Sequence, residues 1–210
     1  TRTESDEQGI DSSSEAIDVV SAGVQVGDLV VIAITADIAG YTSMSVQGMT
    51  MTKILDSGNS TPASLVFYGF WASGNSNPYL DGSGESATNR LRAMSSVTGI
   101  FRNTSSSLLT SNTESGSSGM PDPDSIGVSY SANRSIIICT GHLDDDEVFM
   151  TAPSGFTMAG TSKTNSTSRD GITGSSTGMC YKITTSSASE YINAFGGGGS
   201  DAHDAIAMRF

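Results

Sequence analysis

The chain has 210 residues, enough for one large β domain or two small ones with a sizeable buried core. Apolar residues make up 36% and charged residues 15%; the balance is rich in Gly, Ser, Thr and Asn, which favours strands and turns and argues against long helices. A formal net charge of -12 is the wrong sign for a protein that tracks phosphates, so no nucleic-acid partner is expected; no apolar run approaches the ~20 residues that span a bilayer, so no membrane insertion is expected either.

Residues 1–15 are polar and acidic, with Gln8-Gly9 and a Ser12-Ser13-Ser14 run, and such a composition cannot offset its own ordering entropy by burial. They are expected to be a flexible acidic arm ahead of a single β domain at 16–210. The first strong strand is Asp28 to Ala36, where Leu29, Val30, Val31, Ile32 and Ile34 form a β-branched run. Ser43 to Thr52 alternates Met44, Val46, Met49 and Met51 with polar neighbours and reads as a hairpin, bulged at Gly48. Ser64 to Ala72 is an aromatic-rich core strand, 74–88 a surface loop, and Arg90 to Phe101 a further strand. The polar stretch 103–124 ends in Met120-Pro121-Asp122-Pro123-Asp124, where each proline removes a backbone donor, and is read as the loop joining two halves.

The second half repeats the first at an offset of roughly 105–115 residues. Ile136 to Thr140 answers Leu29 to Ile34, Pro153 to Thr157 answers Val46 to Thr50, Met179 to Ile183 answers Leu65 to Trp71, and Ala205 to Phe210 answers Val97 to Phe101. With roughly four strands in each half (16–102 and 125–210), the pattern predicts an all-β fold: one antiparallel, jelly-roll-like β-sandwich built from two sequence-similar halves. Cys139 and Cys180 each sit in an apolar strand, which predicts core positions and free thiols, with a disulfide as the alternative if those strands are neighbours.

Three segments carry a resemblance. Gly27-Asp28-Leu29-Val30-Val31, Ala152-Pro153-Ser154-Gly155-Phe156-Thr157 and Tyr181 to Tyr191 (YKITTSSASEY) resemble the GDLLV strand, APSGWT turn and WYKVATASEPASY segment of a β-sandwich group found in tailed-phage virion proteins and bacterial surface proteins. The likeness runs from about Val24 onward. Phe156 stands where that group has Trp, and Cys180 where an aromatic precedes the tyrosine. The resemblance implies a structural or attachment role in a virion and carries no catalytic residues.

Candidate sites are few. Asp144, Asp145, Asp146 and Glu147, beside His142 after the strand Ile136 to Thr140, could collect a Ca²⁺, which takes six to eight oxygen ligands; the alternative is a solvated acidic loop tip. His142 and His203 with Asp201 and Asp204 could form an N/O metal site only if the fold joins the two histidines. Ser154 lacks a nucleophile-elbow context, and the run Gly196 to Gly199 lacks the lysine and helix of a phosphate loop. Among aromatics that could stack on a sugar, Trp71 and Tyr68 read as core, leaving Tyr79, in its loop, as the candidate ligand or partner contact.

These features together predict a non-enzymatic structural protein on a virion surface: a capsid decoration (cement) subunit, or a head or tail fibre component, contacting major capsid or other virion subunits as a homo-oligomer with a trimer favoured. No cofactor is expected beyond the candidate Ca²⁺. The alternative is a carbohydrate-binding or adhesive β-sandwich module on a phage fibre or bacterial cell surface.

Overall fold

A computed structural model describes residues 3–6, 14–36, 43–57, 60, 62–82, 94–102, 104, 107–127, 134–144, 150–163, 174–185, 188–197 and 201–210. Among them are fifteen strands and no helix. The first half contributes β1 (Thr3–Asp6), β2 (Ser14–Ala16), β3 (Leu29–Ala36), β4 (Ser45–Gln47), β5 (Thr52–Asp56), β6 (Ala63–Phe70), β7 (Tyr79–Asp81) and β8 (Met94–Phe101). The second contributes β9 (Thr110–Gly116), β10 (Asp124–Ile126), β11 (Ser135–Leu143), β12 (Thr157–Lys163), β13 (Ser176–Thr184), β14 (Glu190–Ile192) and β15 (His203–Arg209). They form two five-stranded antiparallel sheets, β1-β8-β3-β6-β5 and β12-β13-β11-β15-β9, with a three-stranded sheet β2-β7-β4 and a two-stranded sheet β10-β14.

Both halves follow one plan. In the first, β1 pairs with β8, β2 with β7, and β3 with both β6 and β8. In the second, β9 pairs with β15, β10 with β14, and β11 with both β13 and β15. First strand with last, second with second-last and third with third-last is the winding of a jelly roll. Two elements depart from it: β5 and β12 pair with the strands that follow them, β6 and β13, and each carries a bulge, at Lys53/Leu55 and Met158/Gly160. Where the first half has β4, the second has a single bridge from Thr151 to Gly196. The turns that answer each other in sequence also match in conformation, since Gly48 and Gly155 hold φ of 88° and 83°. A side chain is disfavoured in that region, and at Gly48 a Cβ would lie 2.4 Å from the Asn77 carbonyl oxygen.

Side-chain alternation explains the layering. Val30, Ile32 and Ile34 of β3 point one way, into a core closed by Met44, Leu80 and Trp71 on the side of the three-stranded sheet. Leu29, Val31 and Ala33 point the other way, against Ile136 and Ile138 of β11, Met179 of β13 and Ile206 and Met208 of β15. On the far side of the second large sheet, Ile137, Cys139, Cys180 and Ala207 pack under Ile126, Ile192 and Phe195. The result is four layers around three apolar cores, with the large sheets face to face in the middle. Strands covered on both faces need no polar alternation: β3, β11 and β15 are buried along their whole length, with apolar runs at Leu29–Ile34, Ile136–Cys139 and Ala205–Met208.

Several expectations are corrected. Thr3–Asp6, read as arm, pairs in register with Ser96 to Gly99 at the edge of the first large sheet, where backbone hydrogen bonds hold it; residues 7–13 lie outside the described residues. Ser43 to Thr52 is not a hairpin, because β4 and β5 belong to different sheets. The loop 103–124 contains β9, an edge strand whose Thr, Ser, Asn and Glu side chains alternate between half-buried and exposed. Each half supplies seven or eight strands rather than four, and forms two sheets of its own.

Candidate functional site

The interface between the large sheets has two unlike ends. At one, Tyr68 meets Phe210 edge to face with ring centroids 5.3 Å apart at 67°, and Phe101 meets Tyr181 at 5.7 Å and 67°. Tyr68 and Tyr181 occupy matching places in β6 and β13, and Phe101, the last residue of β8, matches Phe210, which directly follows β15, so the same contact is made twice with the halves exchanged. That is the signature of an approximate two-fold axis between them. Phe210 also meets Phe70 at 6.2 Å and exchanges two backbone hydrogen bonds of 2.9 Å with Ile136.

At the other end the strands finish in hydroxyls. Thr35 Oγ1 lies 2.8 Å from His142 Nδ1 and 2.6 Å from Thr177 Oγ1, and Ser95 Oγ lies 2.7 Å from Thr177 Oγ1 and 3.2 Å from Ser175 Oγ. Ser175 donates to the Thr35 carbonyl and Thr177 to that of Ser95, at 3.0 and 3.1 Å. The second nitrogen of His142 meets Thr140 Oγ1 at 2.9 Å. Each hydroxyl can donate or accept, so a neutral imidazole is satisfied at both nitrogens. Burial is what holds His142 neutral, lowering its pKa to about 4 against the opposing pull of the Asp204 charge and of a hydrogen bond to the backbone carbonyl of Ile34. His142 therefore belongs to β11 and is fully buried, not in the loop after the strand.

The two-fold match breaks on one flank of this hydroxyl cluster. Ser95 and Thr177 correspond to Asp204 and Ser64 of the other half. Ser64 is fully buried, yet its Oγ has no hydrogen-bond partner among the described residues. Asp204 instead accepts from Ser57 Oγ at 2.6 Å, and Ser57 Oγ also bridges the Ser64 backbone, 3.0 Å from its N and 3.3 Å from its O. Here the interface opens into a cleft of about 440 Å³, with Ser57, Ser60 and Pro62 on one wall, Ser115 to Ser117 on another, and Ala202 to Asp204 as its floor. His203 lies against Gly116, where a Cβ would come within 2.5 Å of its ring, with Nε2 3.3 Å from a Glu114 carboxylate oxygen and Nδ1 3.1 Å from the Asp201 carbonyl.

The sequence candidates fall as follows. His142 pairs with Asp204 and Leu143 with His203 across β11 and β15, so the two histidines project from opposite faces of one sheet and form no joint metal site. Among the described residues, no three His, Cys, Asp or Glu side chains are placed to hold a metal ion. Asp144 directly follows β11, with its N–H on the Ala202 carbonyl at 3.0 Å; Asp145, Asp146 and Glu147 lie outside the described residues. Tyr79 begins β7 rather than standing in a loop. It is 36% exposed on the outer face of the three-stranded sheet, where its hydroxyl lies 3.1 Å from Gln47 Oε1 and the Gln47 amide donates to Asp81 at 2.7 Å. Trp71 is buried in the first core and Tyr68 packs in the central one. Ser154 is exposed in a turn closed by the Phe156 N–H on the Pro153 carbonyl.

Cys139 and Cys180 stand directly opposite each other on β11 and β13, both fully buried and free. Burial, then the hydrogen bond and charge of Cys180 and the charge of Glu190, push the Cys139 thiol well above its usual pKa, so it stays protonated and unreactive. Sequence reasoning missed the hydroxyl cluster and the cleft. The available signal was Thr and Ser at the same end of five of the six apolar strands of the repeat, Thr35, Ser64, Ser95, Thr140 and Thr177, with Asp204 in the sixth.

Comparison with protein-family models, with curated proteins and with solved structures finds no match to this chain. The virion likeness therefore rests on the three short segments in which it was seen.

Proposed function

We propose that this chain is a structural subunit of a tailed-phage virion, a capsid decoration (cement) protein or a head or tail fibre component that stabilises the particle from its surface. The observation that carries this reading is the four-layer stack, in which two jelly-roll windings share a central core and leave polar, sheet-built outer faces. Close-packed β layers have low compressibility and transmit strain rather than absorb it. Polar outer faces of this kind suit packing against other virion subunits. Binding that favours the assembled shell over its parts would stabilise the shell by mass action. The acidic charge and the resemblance to virion proteins agree with this, and the working form is a symmetric homo-oligomer, with a trimer favoured. Light scattering followed by co-sedimentation with assembled shells tests it. A stable trimer that pellets with shells supports the reading; a monomer indifferent to shells contradicts it.

One observation favours a second reading, an adhesive or carbohydrate-binding module. Tyr79, Gln47 and Asp81 place an aromatic ring, an amide and a carboxylate on one open face, and Tyr191, 65% exposed, occupies the matching strand of the other half. Glycan-array binding that disappears in Tyr79→Ala supports it, and silence with and without Ca²⁺ removes it. Neither reading assigns catalysis to the chain.

A further inference from the structure

We propose that the cleft floored by Asp204 and His203, where the approximate two-fold symmetry of the halves is broken, is a binding site for a neutral, hydroxyl-rich small molecule of hexose size. Four observations lead there. The first is size: about 440 Å³ lies within the ~300–1,000 Å³ of small-molecule sites. The second is position, since the cleft lies between the two halves, at the one flank where the cross-sheet hydroxyl contacts do not close.

The third is chemistry. Ser115 and Ser117 bring hydroxyls that can each donate and accept, Ser57 and Ser60, whose protons go to Asp204 and to the Ser57 carbonyl, offer acceptor lone pairs, and Asp204 supplies a carboxylate acceptor aligned by Ser57 at 2.6 Å. Sugar hydroxyls, each a donor and an acceptor, match such a lining. The nearby Glu114 and Asp204 carboxylates disfavour an anion, and a single lining carboxylate is too few for a divalent cation that wants six to eight oxygens. The fourth is Ser64. Its fully buried hydroxyl has no partner among the described residues, and it points from β6 into the layer that Asp204 faces, with its backbone held by the same Ser57 that lines the cleft. A buried hydroxyl without a partner is destabilising, and a water carried in beside Ser57 with the ligand would relieve it.

This site is separate from the outer-face tyrosines and does not depend on attachment to a shell. The whole protein, with its histidine rings isotopically labelled, is titrated with glucose, galactose, mannose and N-acetylglucosamine, each to about 50 mM, while the His203 ring resonances are followed; a Kd of about 1 mM would saturate well within that range. The expected result is a saturable shift with at least one sugar. It should weaken roughly tenfold or more in Asp204→Asn, consistent with losing a charged hydrogen-bond partner. Because Asp204→Asn could unfold the flank, Ser117→Trp is the second variant: it fills the cleft from an exposed position, and should abolish the shift while leaving the unfolding midpoint unchanged. Tyr79→Ala should leave the shift intact, which separates this site from the adhesive reading. No shift with any of the four sugars, or an undiminished shift in Ser117→Trp, overturns the proposal.

Discussion

The aromatic end and the hydroxyl end of the central interface do the same job by different physics. At the aromatic end, Tyr68, Phe101, Tyr181 and Phe210 contribute buried area and edge-to-face ring contacts, which are non-directional enough to be made twice around an approximate two-fold axis. At the hydroxyl end, Thr35, Ser95, Ser175, Thr177 and His142 gain little net energy from hydrogen bonds that water could also supply, but each would cost heavily if left unpaired. Apolar packing therefore sets how strongly the halves hold, and the polar network sets their register. The polar end is also where the symmetry fails, since an unmet hydroxyl is tolerated there in a way that a missing ring would not be.

The sharpest way to break the comparison is to truncate a ring. Phe210→Ala should lower stability by about 3–5 kcal/mol, because a wholly buried aromatic is replaced by a cavity between two sheets. Phe101→Ala should cost somewhat less, since Phe210 meets two rings and Phe101 one. Urea unfolding midpoints measure both, and a loss below about 1 kcal/mol for Phe210→Ala would show that the aromatic end does not hold the halves.

Acid attacks the other end. The folded chain protonates His142 only near 4, against an ordinary value of 6.5, so between those values the unfolded chain binds more protons. This contribution is complete above about pH 6.5 and is lost as pH falls towards 4, by about 3 kcal/mol in all. His142→Gln, whose amide can still meet Thr35 and Thr140, should flatten that part of the stability profile. Parallel profiles for the two proteins would exclude His142 as the acid-sensitive group.

Smaller effects separate a paired hydroxyl from an unpaired one. Thr35→Val keeps the shape of the side chain but strips a partner from both His142 and Thr177, for an expected loss of about 1–3 kcal/mol. Ser64→Ala removes a hydroxyl that has no partner among the described residues, so it should be neutral or stabilising by less than about 1 kcal/mol. Equal costs for the two variants, read from the same unfolding curves, would mean that the network is not what fixes this end.

How much of this was legible depended on what each strand faces. Leu29 to Ile34, Leu65 to Phe70, Ile136 to Cys139 and Ile206 to Met208 were visible as apolar runs because they lie in doubly covered layers. β9 was not, because at an edge with one face to solvent Thr110 to Gly116 needs no apolar residue and resembles a linker. Ser43 to Thr52 looked like a hairpin because alternation reports which side a residue faces and not which sheet its strand joins. The internal repeat was readable from Gly48/Gly155 and the matched strands, but not that each repeat closes two sheets, since three-residue strands such as β7 and β14 carry almost no pattern. His142 was misplaced because a polar residue after Thr140 ordinarily marks a strand end, and burial becomes acceptable only with Thr35 of the facing sheet on one ring nitrogen and Thr140 on the other.

In the role proposed above, this layered body reinforces a particle. The most direct measurement is the heat inactivation of virions stripped of the protein, before and after the purified chain is added back. Stripped particles are expected to fail at a lower temperature, and added protein to restore their resistance in proportion to the sites it fills. Identical inactivation curves with and without the protein would contradict it.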